Sequence, residues 1–392
     1  MRQGNDAFSI GQMARAGELL GQAASLLKPD DPARLQLLPR LGSALARNGQ
    51  LVRADAVLTE AITRALIRND QGLAEHADVE RALWRLWSDP ASEDDARSTA
   101  QNALQVFAEQ QDEVGLAKAW RLLHDAASSW DEGQEALERA VDHARRAGDR
   151  REEADCLWWV GVYFVFGPMH AEEAIARSEE FLSDAKYDGT VRAGFLGVLG
   201  VLCAMRGRFG EARENFARGV AILEELGIKL RVVTRQHFKA DIELLANDPH
   251  AAERAMRWAY DRELDLGEKQ DIPGTTNRLA DALYRQGRYD EAEKWIQIGG
   301  GRGIRAVLAA RRGEFENADK LAREAVAMMD HGQNLNGRGT AHIRLAEVLS
   351  MAGRSAEAIP AVNEAIQLYE RKGNLASAQE ARALLEKLTL VT

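Results

Sequence analysis

The sequence predicts an all-α fold, a right-handed superhelical solenoid of about nine helix hairpins followed by a C-terminal closing helix. Two observations predict this fold class. Ala, Leu, Glu and Arg are abundant, and only 8 prolines stand against 33 glycines in 392 residues, which favours helix over strand. One pattern of small residues also recurs, mostly at multiples of about 40 residues, the length of a helix hairpin.

The recurring pattern is a small residue followed by Gly seven positions later, Ala twelve later and a second small residue nineteen later. Clear copies are Gly42-Gly49-Ala54-Ala61, Gly200-Gly207-Ala212-Gly219, Ala280-Gly287-Ala292-Gly299, Ala306-Gly313-Ala318-Ala325 and Ala346-Gly353-Ala358-Ala365. Two antiparallel helices approach closely only where the facing residues are small, and Gly ends a helix because it tolerates a left-handed turn. Each copy therefore predicts one hairpin.

Weaker copies are expected to fill the intervals between the clear ones. They predict helix pairs at 77–86 and 94–107, 114–127 and 132–146, 152–166 and 171–183, and 232–246 and 251–266, with a closing helix over 375–388. Hairpins that cannot bury their apolar faces alone stack in a row. Residues 1–392 are therefore predicted to form a single, elongated repeat array.

Two places depart from the pattern. Gly299-Gly300-Gly301 interrupts a second helix, and the next copy starts only 26 residues after the previous one, which predicts a kink or loosened packing near 298–303. Residues 11–27 resemble a second helix with little chain before it. The array is therefore expected to begin inside a repeat, over residues 1–28.

Several segments together resemble a known family. They are DDPARLQLLPRLGSAL at 30–45, GLAKAW at 115–120, FGPMHAEEAIARSEEFL at 166–182, AMRGRFGEARENF at 204–216, LADALYRQGRYDEAE at 279–293, AARRGEFENADKLAREAVAM at 309–328, LAEVLSMAGRSAEAI at 345–359 and LYERKGN at 368–374. Over nearly its whole length the chain is similar to the tetratricopeptide-like C-terminal region of bacterial class III adenylate or guanylate cyclase proteins that carry an AAA-type or STAND-type ATPase domain. Gly167-Pro168 between two helices is the most distinctive shared feature. Related arrays occur in LuxR-type and STAND transcriptional activators.

Composition argues against several classes of protein. The net charge of -10 and pI near 5.5 disfavour a nucleic-acid binder, which needs clustered cations. Cys156 and Cys203 are too few and too far apart for a disulfide framework or a CxxC metal site. The most apolar windows, 157–166 and 195–205, are too short to span a bilayer, and no signal peptide is recognisable. No membrane contact and a cytoplasmic location are expected.

No catalytic, cofactor or metal motif is recognisable. The glycine run at 299–303 lacks both the P-loop and the dinucleotide-loop pattern, and the eight histidines form no HExxH motif. The resembled cyclase and ATPase domains are absent, so no catalytic residue carries over and the chain is predicted not to be an enzyme. Arg302, Arg305, Arg311 and Arg312 form a basic stretch that is either a solvated helix face or a site for an anionic partner.

The first helices of stacked hairpins line the concave wall, and the register predicts which residues face it. They are Arg47, Trp158, Val162, Phe166, Val201, Met205, Asn277, Asp281, Tyr284, Arg285, Val307, Arg311, Glu347 and Met351. The middle of this surface is apolar and aromatic, whereas its C-terminal third is polar. Such a groove suits an amphipathic helix or an extended segment with one apolar face.

The leading hypothesis is a protein-interaction or regulatory sensor module of a bacterial signalling protein, which binds a peptide or protein segment in the groove. The resemblance implies a cyclase or ATPase domain, in cis or in trans, as the partner. An effector-binding module that takes a small molecule at Trp158, Phe166 and Met205 is the alternative, and part of a transcriptional activator is a third reading.

Overall fold

The computed structural model describes residues 1–9, 11–184, 187, 189–330 and 332–390, and within them every regular element is a helix. A short 3-10 turn at Pro90–Ser92 precedes α6. The α-helices are α1 Arg2–Ser9, α2 Met13–Leu26, α3 Pro32–Arg47, α4 Leu51–Ile67, α5 Gln71–Ser88, α6 Glu93–Glu109, α7 Glu113–Asp125, α8 Trp130–Ala147, α9 Arg150–Phe166, α10 Ala171–Ser183, α11 Gly189–Met205, α12 Phe209–Glu225, α13 Lys229–Thr234, α14 Gln236–Leu245, α15 Pro249–Leu266, α16 Ile272–Arg285, α17 Tyr289–Gly299, α18 Arg302–Arg311, α19 Phe315–Asp330, α20 Leu335–Met351, α21 Ser355–Lys372 and α22 Leu375–Thr389.

Local sequence signals set the ends of these helices, as α15 illustrates. The Asp248 carboxylate accepts a hydrogen bond from the Ala251 backbone N–H at 2.9 Å, and Pro249 occupies the first turn, where its missing N–H costs nothing. At the other end Gly267 adopts a φ of +72°, which an L side chain rarely adopts. The helix therefore starts and stops where its own sequence dictates.

The predicted register of small residues is confirmed. Ala212 and Ala292 are fully buried where the two helices of their hairpins cross. At Gly42 an added Cβ would lie 2.5 Å from Leu58 Cγ on the partner helix, so a larger residue would force the Leu58 side chain to move. The all-α hairpin solenoid that the sequence predicts is the fold of the described residues.

The first helices of successive hairpins form the inner layer, in which α3, α5, α7, α9, α11, α14, α16, α18 and α20 each contact the next. The helix pairs expected between the clear copies are present. The first helix expected over 232–246 is the exception, because it is divided at Arg235 into α13 and α14. There the Phe238 N–H donates to the Arg235 carbonyl only three residues earlier, which breaks the regular ladder.

Successive turns of the solenoid touch, so the expectation of an elongated array with an open inner wall is wrong. The Met13 N–H donates to the Leu226 carbonyl at 3.1 Å, and the Lys269 N–H donates to the Trp87 carbonyl at 2.5 Å. The accessible surface of 17424 Å² is near the roughly 15,000 Å² expected for a compact protein of this mass. Apolar and charged side chains on the inner faces bury one another instead of facing solvent.

Three carboxyl groups lie together where α15 leads into α16. Glu263 and Glu268 are fully buried, and Glu263 Oε1 accepts a hydrogen bond from Thr275 Oγ1 at 2.6 Å. Burial raises the pKa of Glu263 to about 7, with nearby Asp271 adding to the rise. Burial, together with the charge of Asp271, raises the pKa of Glu268 to about 8. His237, the nearest basic side chain to Glu263, stays neutral because burial and Arg278 lower its pKa.

This carboxyl cluster predicts that stability falls as pH rises from about 5 to about 8. The folded chain holds more protons than the unfolded chain in that window, since an unfolded Glu has a pKa of about 4.3. Glu268→Gln keeps the oxygen that accepts from the Asp271 N–H and cannot ionise. We expect its melting temperature to exceed that of the wild type at pH 8 and to match it more closely at pH 5. Glu109→Gln, at an exposed position, is the control and should follow the wild type at both pH values. If the melting temperatures of the wild type and of Glu268→Gln change with pH in the same way, the prediction is contradicted.

Candidate functional site: the central cavity

Buried ion pairs close the N-terminal half of the inner wall. Asp155 on α9 is only 1% exposed and accepts hydrogen bonds from Arg47 Nη1 on α3 at 2.7 Å, Arg151 Nη2 at 3.3 Å and Arg231 Nη2 on α13 at 3.1 Å. Burial opposes ionisation, but the arginine charges outweigh it and hold the pKa of Asp155 well below its ordinary value. Arg47 is 3% exposed as a result. The first part of the predicted groove is therefore interior.

The C-terminal half of the inner wall lines a cavity of about 830 Å³. Its walls come from the C-terminal ends of α9, α11 and α14, from α16, from the junction of α17 and α18 at 299–304, and from α19, α20, the end of α21 and the start of α22. Six residues predicted to face the groove line this cavity: Phe166, Val201, Met205, Asn277, Asp281 and Arg285. We call it the central cavity.

A seam between distant parts of the chain lies beside the central cavity, next to the lining residues Phe166 and Asn374. Lys372 at the end of α21 is fully buried, and its Nζ donates hydrogen bonds to the carbonyls of Phe164, Gly167 and Met169, each at 2.8 Å. Burial lowers the pKa of Lys372 to about 8. In a helix the Phe164 carbonyl would accept from residue 168, but Pro168 has no N–H. Lys372 therefore supplies the donor that the Gly167-Pro168 interruption removes.

One wall of the central cavity is apolar. Val165, Phe166, Val201, Met205, Leu244 and Leu245 line it. The Phe166 and Phe238 ring centroids lie 6.4 Å apart, and Trp158 continues this row at 5.5 Å from Phe238. Trp158 is half-buried beneath the Arg235 guanidinium, and Val162 is buried. Both lie beyond the cavity lining, on the side of the closed ion-pair region.

The rest of the lining is polar, and its carboxylates are already paired. Asp241 accepts from Arg278 Nε at 2.7 Å and from Arg278 Nη2 at 3.0 Å. Asp281 pairs with Arg344 and with Arg285; burial opposes its ionisation, but these two charges lower its pKa. The predicted groove residue Glu347 is not part of the lining, and it accepts a hydrogen bond from Arg344 Nη1 at 2.9 Å.

The remaining predicted groove residues lie beside the cavity. The Tyr284 ring contacts Tyr289, with centroids 5.6 Å apart, and the Arg344 guanidinium lies over it. Arg311 is exposed above Tyr289, Val307 is buried and Met351 is half-buried. A role for these residues in partner binding stays a prediction.

The glycine run forms one end of the central cavity. The helix α17 ends at Gly299, α18 begins at Arg302, and the Gly301 N–H donates to Asn277 Oδ1 at 3.0 Å. An added Cβ on Gly301 would lie 2.7 Å from that oxygen, so the close approach to α16 requires glycine. The predicted kink or loosened packing near 298–303 stays a prediction.

Sequence reasoning missed four residues that matter here: Asn334, Asn336, Lys372 and Asn374. The small-residue register marks only the inner faces of first helices, whereas these lie at helix starts and at the end of a second helix. Asn334 and Asn374 do carry a local signal, since each caps the N-terminus of the helix that follows.

Comparisons with known proteins bear on the fold and not on the ligand. No protein-family model and no curated protein matches the chain. Similar solved structures include yeast Tom70 (14% identity, 99% of this chain and 87% of that chain, TM-score 0.41), the apo quorum sensor NprR from B. thuringiensis (14%, 91% and 92%, 0.40) and the APC/C hetero-tetramer Cut9-Hcn1 (14%, 98% and 95%, 0.37). These likenesses concern the fold alone. Among the described helices, none is long and apolar enough to cross a membrane.

Proposed function

We propose that this protein is a regulatory binding module whose central cavity receives a short peptide segment of a partner. The observation that carries the proposal is a cavity of about 830 Å³ whose lining combines an apolar group of side chains with hydrogen-bonding and charged ones. Its size falls within the range of roughly 300–1,000 Å³ that is usual for ligand sites. A segment with one apolar face would find both apolar contacts and hydrogen-bonding partners in this lining.

The seam links ligand binding to conformation. The cavity is lined both by α9 and α11 and by the ends of α20 and α22, so an occupant contacts the two sides of the seam at once. A ligand that binds more tightly when the Lys372 seam is formed than when it is open shifts the equilibrium toward the state with the seam formed. The resemblance to bacterial signalling proteins suggests a cyclase or ATPase domain, in cis or in trans, as the recipient of that change.

A small-molecule effector is the second candidate, and a separate observation favours it. The lining comes from parts of the chain on both sides of the seam, which leaves a compact cavity instead of the long groove expected from the sequence. Thermal-shift screening with a metabolite collection and with short synthetic peptides, side by side, distinguishes the two. Stabilisation by peptides alone favours the proposal, and stabilisation by metabolites alone favours the effector.

The variant Phe166→Ala tests the position of the site. Phe166 is half-buried on the apolar wall, and an aromatic anchor typically contributes about 2 kcal/mol or more to binding. We expect peptides selected on the wild type to bind roughly 30-fold more weakly to Phe166→Ala by calorimetry. Phe315→Ala, at a partly exposed Phe outside the cavity, should bind as the wild type does. Equal affinity for both variants would place the site elsewhere.

A further inference from the structure

The asparagines of the central cavity share one property: each has its side-chain carbonyl oxygen engaged by a donor of the protein. The pairs are Asn277 Oδ1 with Gly301 N–H at 3.0 Å, Asn334 Oδ1 with Gly337 N–H at 2.8 Å, Asn374 Oδ1 with Ser377 N–H at 3.1 Å, and Asn336 Oδ1 with Asn374 Nδ2 at 2.9 Å.

These bonds fix the orientation of each amide. A backbone N–H can only donate, so the atom facing it at Asn277, Asn334 and Asn374 must be the oxygen. The bond from Asn374 then fixes Asn336 in turn. The NH₂ groups of Asn277 and Asn334 have no acceptor among the described residues, and that of Asn336 has only the Met205 sulfur at 3.6 Å. The wall therefore offers unused donors.

The charged side chains of the lining also favour an anionic ligand. Four arginines and three carboxylates line the central cavity. Arg278 pairs with Asp241, while Arg285 and Arg344 share Asp281 and Arg285 also meets Glu380. Arg302 has no carboxylate partner within the described ranges, where its guanidinium contacts the Met328 sulfur. Arg302 follows Gly301, whose N–H is bonded to Asn277, so the free guanidinium and a free amide lie at the same end of the cavity.

We propose that the central cavity selects an organic anion: an apolar body against Phe166, Val201 and Met205, with a carboxylate directed to the amides of Asn277 and Asn334 and to Arg302. The inference rests on the proposed function and names the chemistry of its ligand. A carboxylate accepts hydrogen bonds without donating any, which matches a wall of donors. The carboxylate belongs either to the C-terminus of a short apolar peptide or to a free organic acid.

Two fluorescent probes of similar shape test the charge preference. 8-Anilinonaphthalene-1-sulfonate carries an anionic group, and N-phenyl-1-naphthylamine has the same aromatic rings without it. We expect the wild type to bind the anionic probe at least tenfold more tightly. Equal affinity for the two probes, or tighter binding of the neutral one, would overturn the inference.

The double variant Asn277→Asp with Asn334→Asp tests the donors. Each new carboxylate keeps an oxygen for the Gly301 or Gly337 N–H and replaces the free NH₂ with an acceptor. We expect affinity for the anionic probe to fall at least tenfold, with binding of the neutral probe and the melting temperature unchanged. Asn102→Asp, on the exposed face of α6, makes the same chemical change elsewhere and should have no effect.

Arg302→Gln is a second, independent variant at an exposed position, so it reports even if the double variant is unstable. We expect this variant to bind the anionic probe at least fivefold more weakly than the wild type does. Unchanged binding of that probe in both variants would sink the inference.

Peptides with a free carboxylate are then compared with their C-terminal amides. Equal binding of acid and amide refutes the anion preference and leaves the proposed function standing. If the protein binds the anionic probe but none of the peptides, the peptide function is refuted and a free organic acid remains as the ligand class.

Discussion

Replacing Lys372 with Met is expected to lower the free energy of unfolding by about 3 kcal/mol or more. The variant keeps the apolar stem and removes the donor for three carbonyls, of which those of Phe164 and Gly167 are buried. Each unsatisfied buried acceptor costs about 1 to 3 kcal/mol. The Phe164 carbonyl has no helical replacement, because Pro168 lacks an N–H.

Urea denaturation followed by circular dichroism at 222 nm measures this loss. Lys387→Met on the exposed face of α22 is the matched control and should change stability by less than about 0.5 kcal/mol. A similar small change for both lysines would show that the three carbonyls find other partners, and that Lys372 does not hold the seam.

The variant Asp155→Asn is expected to cost about 3 to 5 kcal/mol of stability. Removing one member of a buried ion-pair group leaves charges uncompensated in the interior, and here Arg47, Arg151 and Arg231 all lose their shared carboxylate. The substitution is nearly isosteric, so lost packing contributes little.

Chemical denaturation at pH 7 compares Asp155→Asn with Asp142→Asn, which removes an exposed carboxylate from α8. The folded-state pKa of Asp155 is lowered, so the stability it contributes is present above the unfolded pKa of about 3.9 and is lost only as pH falls further. The difference between the two variants should therefore persist at pH 5. A difference that disappears at pH 5 would mean that Asp155 is not held ionised by its arginines.

Local sequence patterns predict each hairpin, but they do not predict how successive hairpins wind around one another. Small residues such as Ala292 and capping residues such as Asp248 act within about 20 positions, so their roles can be predicted from spacing. The pairing of Arg47 with Asp155 joins residues 108 positions apart, and it depends on the small rotation that each repeat adds to the last. No local pattern specifies that rotation.

The candidate site was predictable to a similar extent. The register of small residues predicted Phe166, Met205 and Asn277, because it identifies the positions on the inner face of a first helix. It could not give Lys372, whose partners lie 203 to 208 positions away. It also could not show that the amides of Asn277 and Asn334 present only donors, because their orientation depends on backbone N–H groups at the starts of α18 and α20.

The seam at Lys372 also changes how the array should fold. In a linear repeat protein each unit interacts only with its neighbours, so the ends fray and stability is a sum of nearest-neighbour terms. Here the last hairpin is bonded to the middle of the chain across more than 200 positions. Such contacts raise the contact order, and the entropy of closing so long a loop must be met before the contacts form. From α9 to α22 the array is a ring and not a line, and opening at its C-terminal end is coupled to loss of structure at α9.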